Sequence, residues 1–396
     1  MDDVLFFEKL EINSPESDEV SVGLFNASNY LDNDQLEESA YFSWQAFPRS
    51  SIDKGLEAGF VYLNNGELSN ANGSSVARHF IYQNTQHRRR LISRSTNEVP
   101  SFSLSNSIFS YHVNVGHGNC SIVFDTKRKF LLLIDCSKYD YRNKTYYYSN
   151  VSDCLDYIKT KHNIASLRID VIMQTHPHYD HYSGFQELMK QGLVDSRTVI
   201  YINQYYSMPN PTYNKILSQI YALGCRTVEP VVSNSNSWLR IIHPDARVVK
   251  TENTVYGHLN PIVDRNPNNT SVVFSVSSKT KSFMFTGDIE TDGWNRIAGC
   301  KPYLLNSDFL AISHHGSQNG HIRTKCPVNI PITSVANCIH PKAQALIMGR
   351  SGAYSGLPSK QVTLDFPHAI YSEMDRSGVN RKFVEIDWST SRIVWF

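Results

Sequence analysis

The stretch Thr175-His176-Pro177-His178-Tyr179-Asp180-His181 contains three histidines and one aspartate within six residues. It follows directly on the apolar run Ile169–Gln174, which has the length and composition of a buried strand. Strand ends are where the ligand sites of α/β proteins lie. The position of the cluster therefore predicts a functional site at the edge of a sheet.

The spacing within this stretch predicts metal binding. In extended backbone, side chains two residues apart point the same way, so His176 and His178 can share one ion. Asp180 and His181 follow where the chain must turn into a helix, and they can address a second ion nearby. Imidazole nitrogen and carboxylate oxygen together suit Zn²⁺, with Mn²⁺ or Fe also possible.

Two later segments supply partners for this cluster. The apolar run Phe283–Phe285 leads into Thr286-Gly287-Asp288, where Asp288 is placed either to bridge two metals or to cap the following helix. The run Phe309–Ile312 ends in Ser313-His314-His315-Gly316-Ser317. Adjacent side chains in extended backbone point in different directions, so at most one of these two histidines is expected to face the metals.

The order of these motifs resembles the metallo-β-lactamase superfamily. More narrowly, it is similar to the soluble hydrolase domain of ComEC-type DNA-uptake proteins. The resemblance runs from about Tyr111 to the C-terminus and includes the glycine loop Val115-Gly116-His117-Gly118-Asn119 and a strand ending at Asp135.

The resemblance implies an α/β fold, an αββα sandwich with a two-metal site at the edges of its sheets. It implies the following roles for residues of this chain: His176 and His178 bind the first metal, Asp180 and His181 bind the second, Asp288 bridges the two, and Asp135 braces the metal loop. Asp180 and Asp288 would orient a metal-activated hydroxide, and His314 or His315 would act as hydrogen-bond donor or general acid. The implied cofactor is Zn²⁺ at two sites.

Three positions depart from the family pattern. The family usually has Asp where Asn119 and Asn269 stand, and it often has a ligating His where this chain has Leu357. The histidines that might substitute are His258, His321 and His340, although each alone is more often an ordinary residue than a ligand.

Composition and charge divide the chain in two. Its 396 residues carry a net charge of +1, but up to Ala40 there are eleven acidic residues and one basic residue, whereas the part from Tyr111 onward carries +8. We therefore expect residues 1–105 to form a small β-rich N-terminal domain with a Ser/Asn-rich linker, and residues 106–396 to form the hydrolase domain. Strand-like runs at Ser21–Phe25, Ala40–Phe47, Phe60–Leu63 and Arg78–Gln83 support the β-rich assignment.

The cysteines and the apolar runs indicate the compartment. Seven scattered cysteines without a C-x-x-C pair indicate reduced, mostly buried thiols. No run approaches the roughly 18 apolar residues of a membrane span, and the N-terminus lacks the pattern of a signal peptide. The sequence therefore predicts a cytoplasmic protein that does not contact a membrane.

The function that these features favour is phosphodiester hydrolysis of nucleic acid, as a phosphodiesterase or nuclease. The ComEC-like resemblance, the +8 charge and the loop tyrosines near the motif all point to nucleic acid as the partner. These tyrosines are Tyr139, Tyr141, Tyr146 to Tyr148, Tyr205 and Tyr206. Two alternatives remain open at this stage. One is hydrolysis of a small substrate such as a cyclic nucleotide or thioester, and the other is a catalytically weak metal-binding scaffold whose acidic N-terminal domain docks a protein partner.

Overall fold

The structure, a computed structural model, describes residues 4–12, 19–32, 42–52, 59–65, 67–93, 101–140, 143–203, 206, 210–231, 234–244, 267–300, 305–321, 344–352 and 356–396. Its N-terminal elements form an antiparallel sheet of order β3-β2-β1-β4-β5. They are β1 Val4–Ile12, β2 Glu19–Asn26, α1 Ala27–Asp32, β3 Phe42–Pro48, β4 Gly59–Asn64, β5 Glu67–Asn70 and the long helix α2 Ser75–Ser93.

The next part of the chain builds a larger sheet and most of its helices. These elements are β6 Ile108–Val113, β7 Ser121–Asp125, β8 Phe130–Ile134, β9 Tyr139–Asp140, β10 Thr145–Tyr146, α3 Tyr148–Lys161, β11 Val171–Met173, α4 Tyr179–Tyr182, α5 Phe185–Lys190, β12 Val199–Tyr201, α6 Pro211–Ala222 and β13 Arg226–Val228. Strands β9 and β10 form a separate ribbon.

The remaining elements build a second sheet and close the first. They are β14 Leu239–His243, β15 Val273–Ser277, β16 Ser282–Phe285, α7 Thr291–Cys300, β17 Phe309–Ala311, β18 Gln344–Ile347, α8 Lys360–Asp365, β19 Ile370–Tyr371, β20 Phe383–Asp387 and β21 Arg392–Trp395. The described strands of the first sheet run in the order β13-β12-β11-β8-β7-β6-β20-β21, and those of the second in the order β14-β15-β16-β17-β18-β19.

The two large sheets pack face to face between helical layers. Phe274, Phe283 and other apolar side chains fill the space between the sheets. Helices α3 and α6 cover the outer face of the first sheet, whereas α7 and α8 cover the outer face of the second. The arrangement confirms a mixed α/β fold, and its layer order is that of the αββα sandwich predicted from the sequence.

The packing of α2 corrects one prediction. The run Arg78–Gln83 is not a strand but lies within this helix, because the buried residues Ala77, Phe80, Asn84 and Leu91 recur at helical spacing. Ala77 and Phe80 pack on the small N-terminal sheet.

Helix α2 also contacts α6, where buried polar groups join the two. Asn84 donates to Asn214 Oδ1 at 2.9 Å and to the Tyr206 hydroxyl at 3.2 Å. The guanidinium of Arg88 lies 5.1 Å from the centre of the Tyr206 ring and donates to the Tyr206 carbonyl. Arg88 of α2 is therefore held to Tyr206 by two contacts.

We expect Asn84→Ala to lower the free energy of unfolding by about 1–3 kcal/mol, because it leaves two buried polar partners without their donor. The measurement is chemical unfolding of the full chain. Tyr82→Ala, at a position of the same helix that is 66% exposed, is the matched control and should change stability by less than about 0.5 kcal/mol. Equal effects of the two substitutions would contradict the assigned role of Asn84.

Three smaller observations concern the start of α3, the cysteines and the hydropathy of the helices. Ser152 is a residue type that often caps helices and precedes an apolar stretch of helical spacing, but α3 begins at Tyr148 and Ser152 lies inside it. Cys120, Cys136, Cys154 and Cys225 are free and buried, as predicted. No helix within the described part of the chain is long and apolar enough to cross a membrane.

Candidate metal centre

The predicted site residues meet at one edge of the two sheets. Thr175–His181 follows β11 of the first sheet, Asp288 follows β16 of the second, and His314 and His315 follow β17. The two sheets are joined here by a hydrogen bond from the Val272 amide to the Thr175 carbonyl at 2.9 Å. The carboxyl ends of β11, β16 and β17 thus bring together residues that are far apart in the sequence.

The four residues of the central motif are buried and close together. His176 Nε2 lies 3.0 Å from His178 Nδ1, as expected for side chains on the same side of extended backbone. His181 Nε2 lies 3.3 Å from Asp288 Oδ1 and 3.9 Å from Asp180 Oδ1. His176 Nε2 lies 3.9 Å from Asp288 Oδ2. Asp288 is therefore next to a histidine from each half of the motif, where a bridging carboxylate would lie.

His314 and His315 differ from the prediction. Both have left-handed backbone, with φ of 49° and 54°, rather than extended backbone. As a result both rings reach Asp288: His315 Nε2 lies 3.4 Å from Asp288 Oδ2, and His314 Nε2 lies 3.8 Å from the same oxygen. His315 Nε2 is also 3.4 Å from Asp180 Oδ2. Turning rather than extended backbone brings both rings near Asp288, and of the two it is His315 that belongs to the group at metal-ligand spacing. The expectation that at most one of the pair faces the metals stays a prediction.

Asp135 fixes the Thr175–His181 motif through hydrogen bonds at both of its ends. Its carboxylate accepts hydrogen bonds from the Thr175 amide at 2.8 Å and the Thr175 hydroxyl at 2.7 Å. It also lies 2.7 Å from Nδ1 of His181, which leaves Nε2 of that ring directed at Asp288. A carboxylate behind a histidine fixes the orientation of the ring and raises its basicity as a metal ligand.

A second support comes from α6. The Tyr213 hydroxyl donates to Gln174 Oε1, and Gln174 Nε2 donates to the His176 carbonyl at 3.4 Å. Tyr213 also packs against the ring of Tyr206, which contacts α2. His176 is thus connected through buried side chains to α2, the helix that packs on the N-terminal sheet.

One glycine allows the two halves of the site to meet. Gly287 precedes Asp288 and has φ of 52°, and a Cβ at this position would lie 2.8 Å from the Thr175 Cβ. A larger residue would separate the β16 end from the β11 end.

The electrostatics of the cluster are strongly coupled. Burial opposes the charged form of His181, but the carboxylates of Asp288 and Asp135 outweigh it and raise the pKa of this histidine. Burial likewise favours neutral Asp288, yet the imidazoles of His181 and His315 lower the pKa of the carboxyl well below its usual range. Burial and the neighbouring His181 lower the pKa of His176. Protons on this cluster are the species that a divalent cation would displace.

The spacing fits a metal ion. Two atoms that bind one Zn²⁺ at about 2.0–2.2 Å lie about 3.3 Å apart at the tetrahedral angle and about 4.2 Å apart at most. The distances from the Asp288 carboxylate oxygens to the imidazole nitrogens of His176, His181, His314 and His315 run from 3.3 to 3.9 Å. One ligand atom from each of Asp180, His181, Asp288 and His315 lies within 4.8 Å of the others. The donor set and its geometry therefore suit one ion here, and His176 and His178 lie beside it.

The three departures from the family pattern have structural consequences. Asn269 Oδ1 accepts from the Gly293 amide at 3.0 Å, so it supports α7. At Asn119 it is the backbone N–H that donates to the Asp180 carbonyl at 3.1 Å, so this link between the glycine loop and the motif does not depend on the asparagine side chain. The turn that contains Leu357 lies against the His-His-Gly segment, because the Ser359 amide donates to the Gly316 carbonyl at 2.8 Å. The turn is thus tied to the His-His-Gly segment, and Leu357 within it offers no metal-binding group.

The histidines considered as substitutes do not fill this place among the described residues. His321 is buried, and its Nε2 lies 2.6 Å from Asp365 on α8. His258 and His340 lie outside the described residues.

Two residues of the site were missed by sequence reasoning. His117 in the glycine loop has its Nε2 at 3.8 Å from Asp180 Oδ2 and its ring centre at 4.3 Å from that of His315. Glu290 lies 3.4 Å from Nδ1 of His314. The sequence feature that could have indicated Glu290 as a site residue was its position two residues after Asp288. The feature that could have indicated His117 was the pair of glycines that flank it.

Comparison with known proteins identifies the family of the chain. The family model of the metallo-β-lactamase superfamily matches residues 113–324, more than half of the chain. No curated protein matches the chain. Among solved structures, a new diphosphatase from the PhnP family is 13% identical, with a TM-score of 0.34, and the match covers 67% of this chain and 94% of the other.

A second structure that the chain is similar to is the short form of human tRNase Z (ELAC1). It is also 13% identical, with a TM-score of 0.25, and the match covers 52% of this chain and 76% of the other. The family match extends over the strands and motifs that form the metal centre. The chain belongs to the metallo-β-lactamase superfamily.

Proposed function

We propose that the chain is a metal-dependent phosphodiesterase or nuclease that acts on nucleic acid through a metal-activated water. The observation that carries this proposal is the buried convergence of Asp180, His181, Asp288 and His315 at metal-ligand spacing. In this proposal His176 and His178 would hold a first ion, Asp180 and His181 a second, and Asp288 would contribute its carboxylate to both. Zn²⁺ is the favoured ion because imidazole contributes most of the donors, and Mn²⁺ is the alternative.

The residues around the cluster have separate tasks. A divalent metal bound here would supply Lewis acidity toward a phosphoryl oxygen and toward the attacking water. Asp180 and Asp288 accept hydrogen bonds from that water and so orient it. Glu290 lies 3.4 Å from Nδ1 of His314 and orients this ring, whose Nε2 is the proposed proton donor to the leaving oxygen.

Three features favour an anionic polymer as the substrate. The part of the chain from Tyr111 onward carries a net charge of +8. Arg350 follows β18 at the site edge, where the neighbouring Gly349 lies against the His315 ring. The Arg350 guanidinium, 30% exposed, lies 3.1 Å from Asp140. A partly exposed cation at this edge can contact a phosphate beside the one that is cleaved.

The loop tyrosines support the proposal only in part. Tyr146 in the β9–β10 ribbon is 53% exposed, so it can stack on a base. Tyr148 and Tyr206 are buried, and they are therefore excluded as stacking residues. Tyr141 and Tyr205 lie outside the described residues. The resemblance of the glycine loop and of His314–Ser317 to the ComEC-type hydrolase domain adds support for nucleic acid.

The test is hydrolysis by the full chain with Mn²⁺ or Zn²⁺ on single-stranded DNA, plasmid, RNA and cyclic nucleotides. We expect cleavage of at least one polymer, loss of that cleavage in Asp180→Ala, and full activity in Asp156→Ala, a control at an exposed position of α3. If wild type and Asp180→Ala behave alike on every substrate, the hydrolase proposal is wrong. Cleavage of cyclic nucleotides alone would overturn the choice of nucleic acid.

The division of the chain is part of the same proposal. Residues 1–105 would form a unit around the sheet β3-β2-β1-β4-β5, and residues 106–396 the hydrolase domain. Residues 1–40 of the first unit carry a net charge of −10. A segment of this charge attracts a basic protein surface and repels nucleic acid. We therefore place the nucleic acid on the hydrolase domain.

A further inference from the structure

One position that could supply a metal ligand carries an apolar residue instead, Leu357. Leu357 stands at the position where the family pattern often has a ligating histidine, and its turn is fixed to the Gly316 carbonyl through the Ser359 amide. A leucine side chain offers no donor to a metal. The second ion would therefore lack one ligand from this side, and the inference below rests on the proposed metallohydrolase function.

An additional histidine reaches the site from the glycine loop. His117 Nε2 lies 3.8 Å from Asp180 Oδ2, which is within the distance of about 4.2 Å that allows two atoms to bind one Zn²⁺. The His117 and His315 rings are neighbours, with centres 4.3 Å apart. Both rings therefore approach the same carboxylate, because His315 Nε2 lies 3.4 Å from that oxygen.

The glycine loop fixes His117 relative to Asp180. The His117 amide donates to Asp140 Oδ2 at 3.1 Å, and the Asn119 amide donates to the Asp180 carbonyl at 3.1 Å. Gly118 has φ of 157°, and a Cβ at this residue would lie 2.7 Å from the Asp180 carbonyl oxygen. The loop backbone thus packs directly on Asp180, the residue that His117 faces. Because the loop is already held in place, binding a metal would cost little additional conformational entropy.

We propose that His117 is a ligand of the second metal, together with Asp180 and His315, and that it replaces the imidazole absent at Leu357. The ring nitrogen enters from the glycine loop instead of from the turn after β18. An imidazole-rich set of this kind suits Zn²⁺ better than Mg²⁺ or Ca²⁺, which prefer oxygen donors.

The test measures metal binding rather than activity. Full-length chain freed of metal with a chelator is titrated with Zn²⁺ against a competing chelator, and with Co²⁺ while the visible absorption is recorded. Wild type should bind two ions. His117→Ala should bind the first ion with unchanged affinity and the second at least about 10-fold more weakly, since loss of even an outer partner of a ligand costs 10–100-fold.

Two further variants keep the test decisive. His117→Gln retains a polar side chain of similar reach but is a poor metal ligand, so it should weaken the second site and change the Co²⁺ absorption as His117→Ala does. His79→Ala, on an exposed face of α2, is the control and should match wild type. If the second-site affinity of both His117 variants stays within about twofold of wild type, His117 is not a ligand, and the proposed function stands. If wild type itself binds no metal, the proposed function fails together with the inference.

Discussion

Asp288→Asn is expected to reduce hydrolysis by more than about 100-fold and to release at least one metal ion per chain. Asp288 is the carboxylate that the site shares: its oxygens lie 3.3 Å from His181 Nε2 and 3.4 Å from His315 Nε2. The loss should exceed the 10–100-fold that follows removal of an outer partner of a metal ligand, because here the ligand itself is changed. The measurements are the rate of phosphodiester cleavage and the metal content after dialysis.

The control for this substitution is Asp292→Asn. Asp292 lies four residues after Asp288 and is exposed in the first turn of α7. Its substitution by Asn removes one negative charge, as Asp288→Asn does. It should retain wild-type activity and metal content. Asp288→Asn with two bound ions and more than a tenth of wild-type activity would contradict the bridging role.

Asp135→Ala is expected to lower the affinity for the second metal by about 10–100-fold without removing any proposed ligand. The carboxylate is 1% exposed and accepts from Thr175 twice while holding His181 Nδ1 at 2.7 Å. Without it the His181 ring loses the contact that directs Nε2 toward Asp288. The variant should also lose about 1–3 kcal/mol of stability, because the Thr175 donors are left unsatisfied in the interior.

Metal titration of Asp135→Ala and Thr175→Ser separates positioning from general damage. Thr175→Ser keeps the hydroxyl that donates to Asp135, so it should bind both ions as wild type does. Rescue of Asp135→Ala by saturating metal, with the cleavage rate restored, would support a role in affinity alone. Wild-type affinity in Asp135→Ala would show that His181 does not need this support.

Much of the site was predictable because its signal is local. Strand Val171–Met173 is a short apolar run, and the histidines that follow it are placed by backbone geometry over only a few residues. The convergence of Asp288 with this motif followed from the resemblance, since nothing in the sequence alone says that β16 ends opposite β11. In the structure Asp288 Oδ2, after β16, lies 3.9 Å from His176 Nε2, after β11.

The residues that sequence reasoning missed depend on long-range packing. His117 is four residues beyond the end of β6, and only the pairing of the glycine loop with Asp180 aims it at the site. Both rings of the His314–His315 pair face Asp288 because of positive φ angles that no sequence pattern announced.

Helix α2 was misread for a related reason. Phe80, Ile81 and Tyr82 have strand propensity, and the buried Asn84 interrupts the apolar stripe that would have revealed a helix. Asn84 is polar because it hydrogen-bonds Tyr206 and Asn214, which lie more than 100 residues away. The tertiary contact therefore overrides the local pattern.

The most direct test of the metal centre is anomalous diffraction from crystals of the full chain grown with Zn²⁺ or Mn²⁺ and measured at the absorption edge of that metal. The account predicts a peak among Asp180, His181, Asp288 and His315, at about 2.0–2.2 Å from their ligand atoms, with His117 on the same ion. A second peak is predicted beside His176 and His178. Saturating metal without a peak near Asp288 would contradict the account.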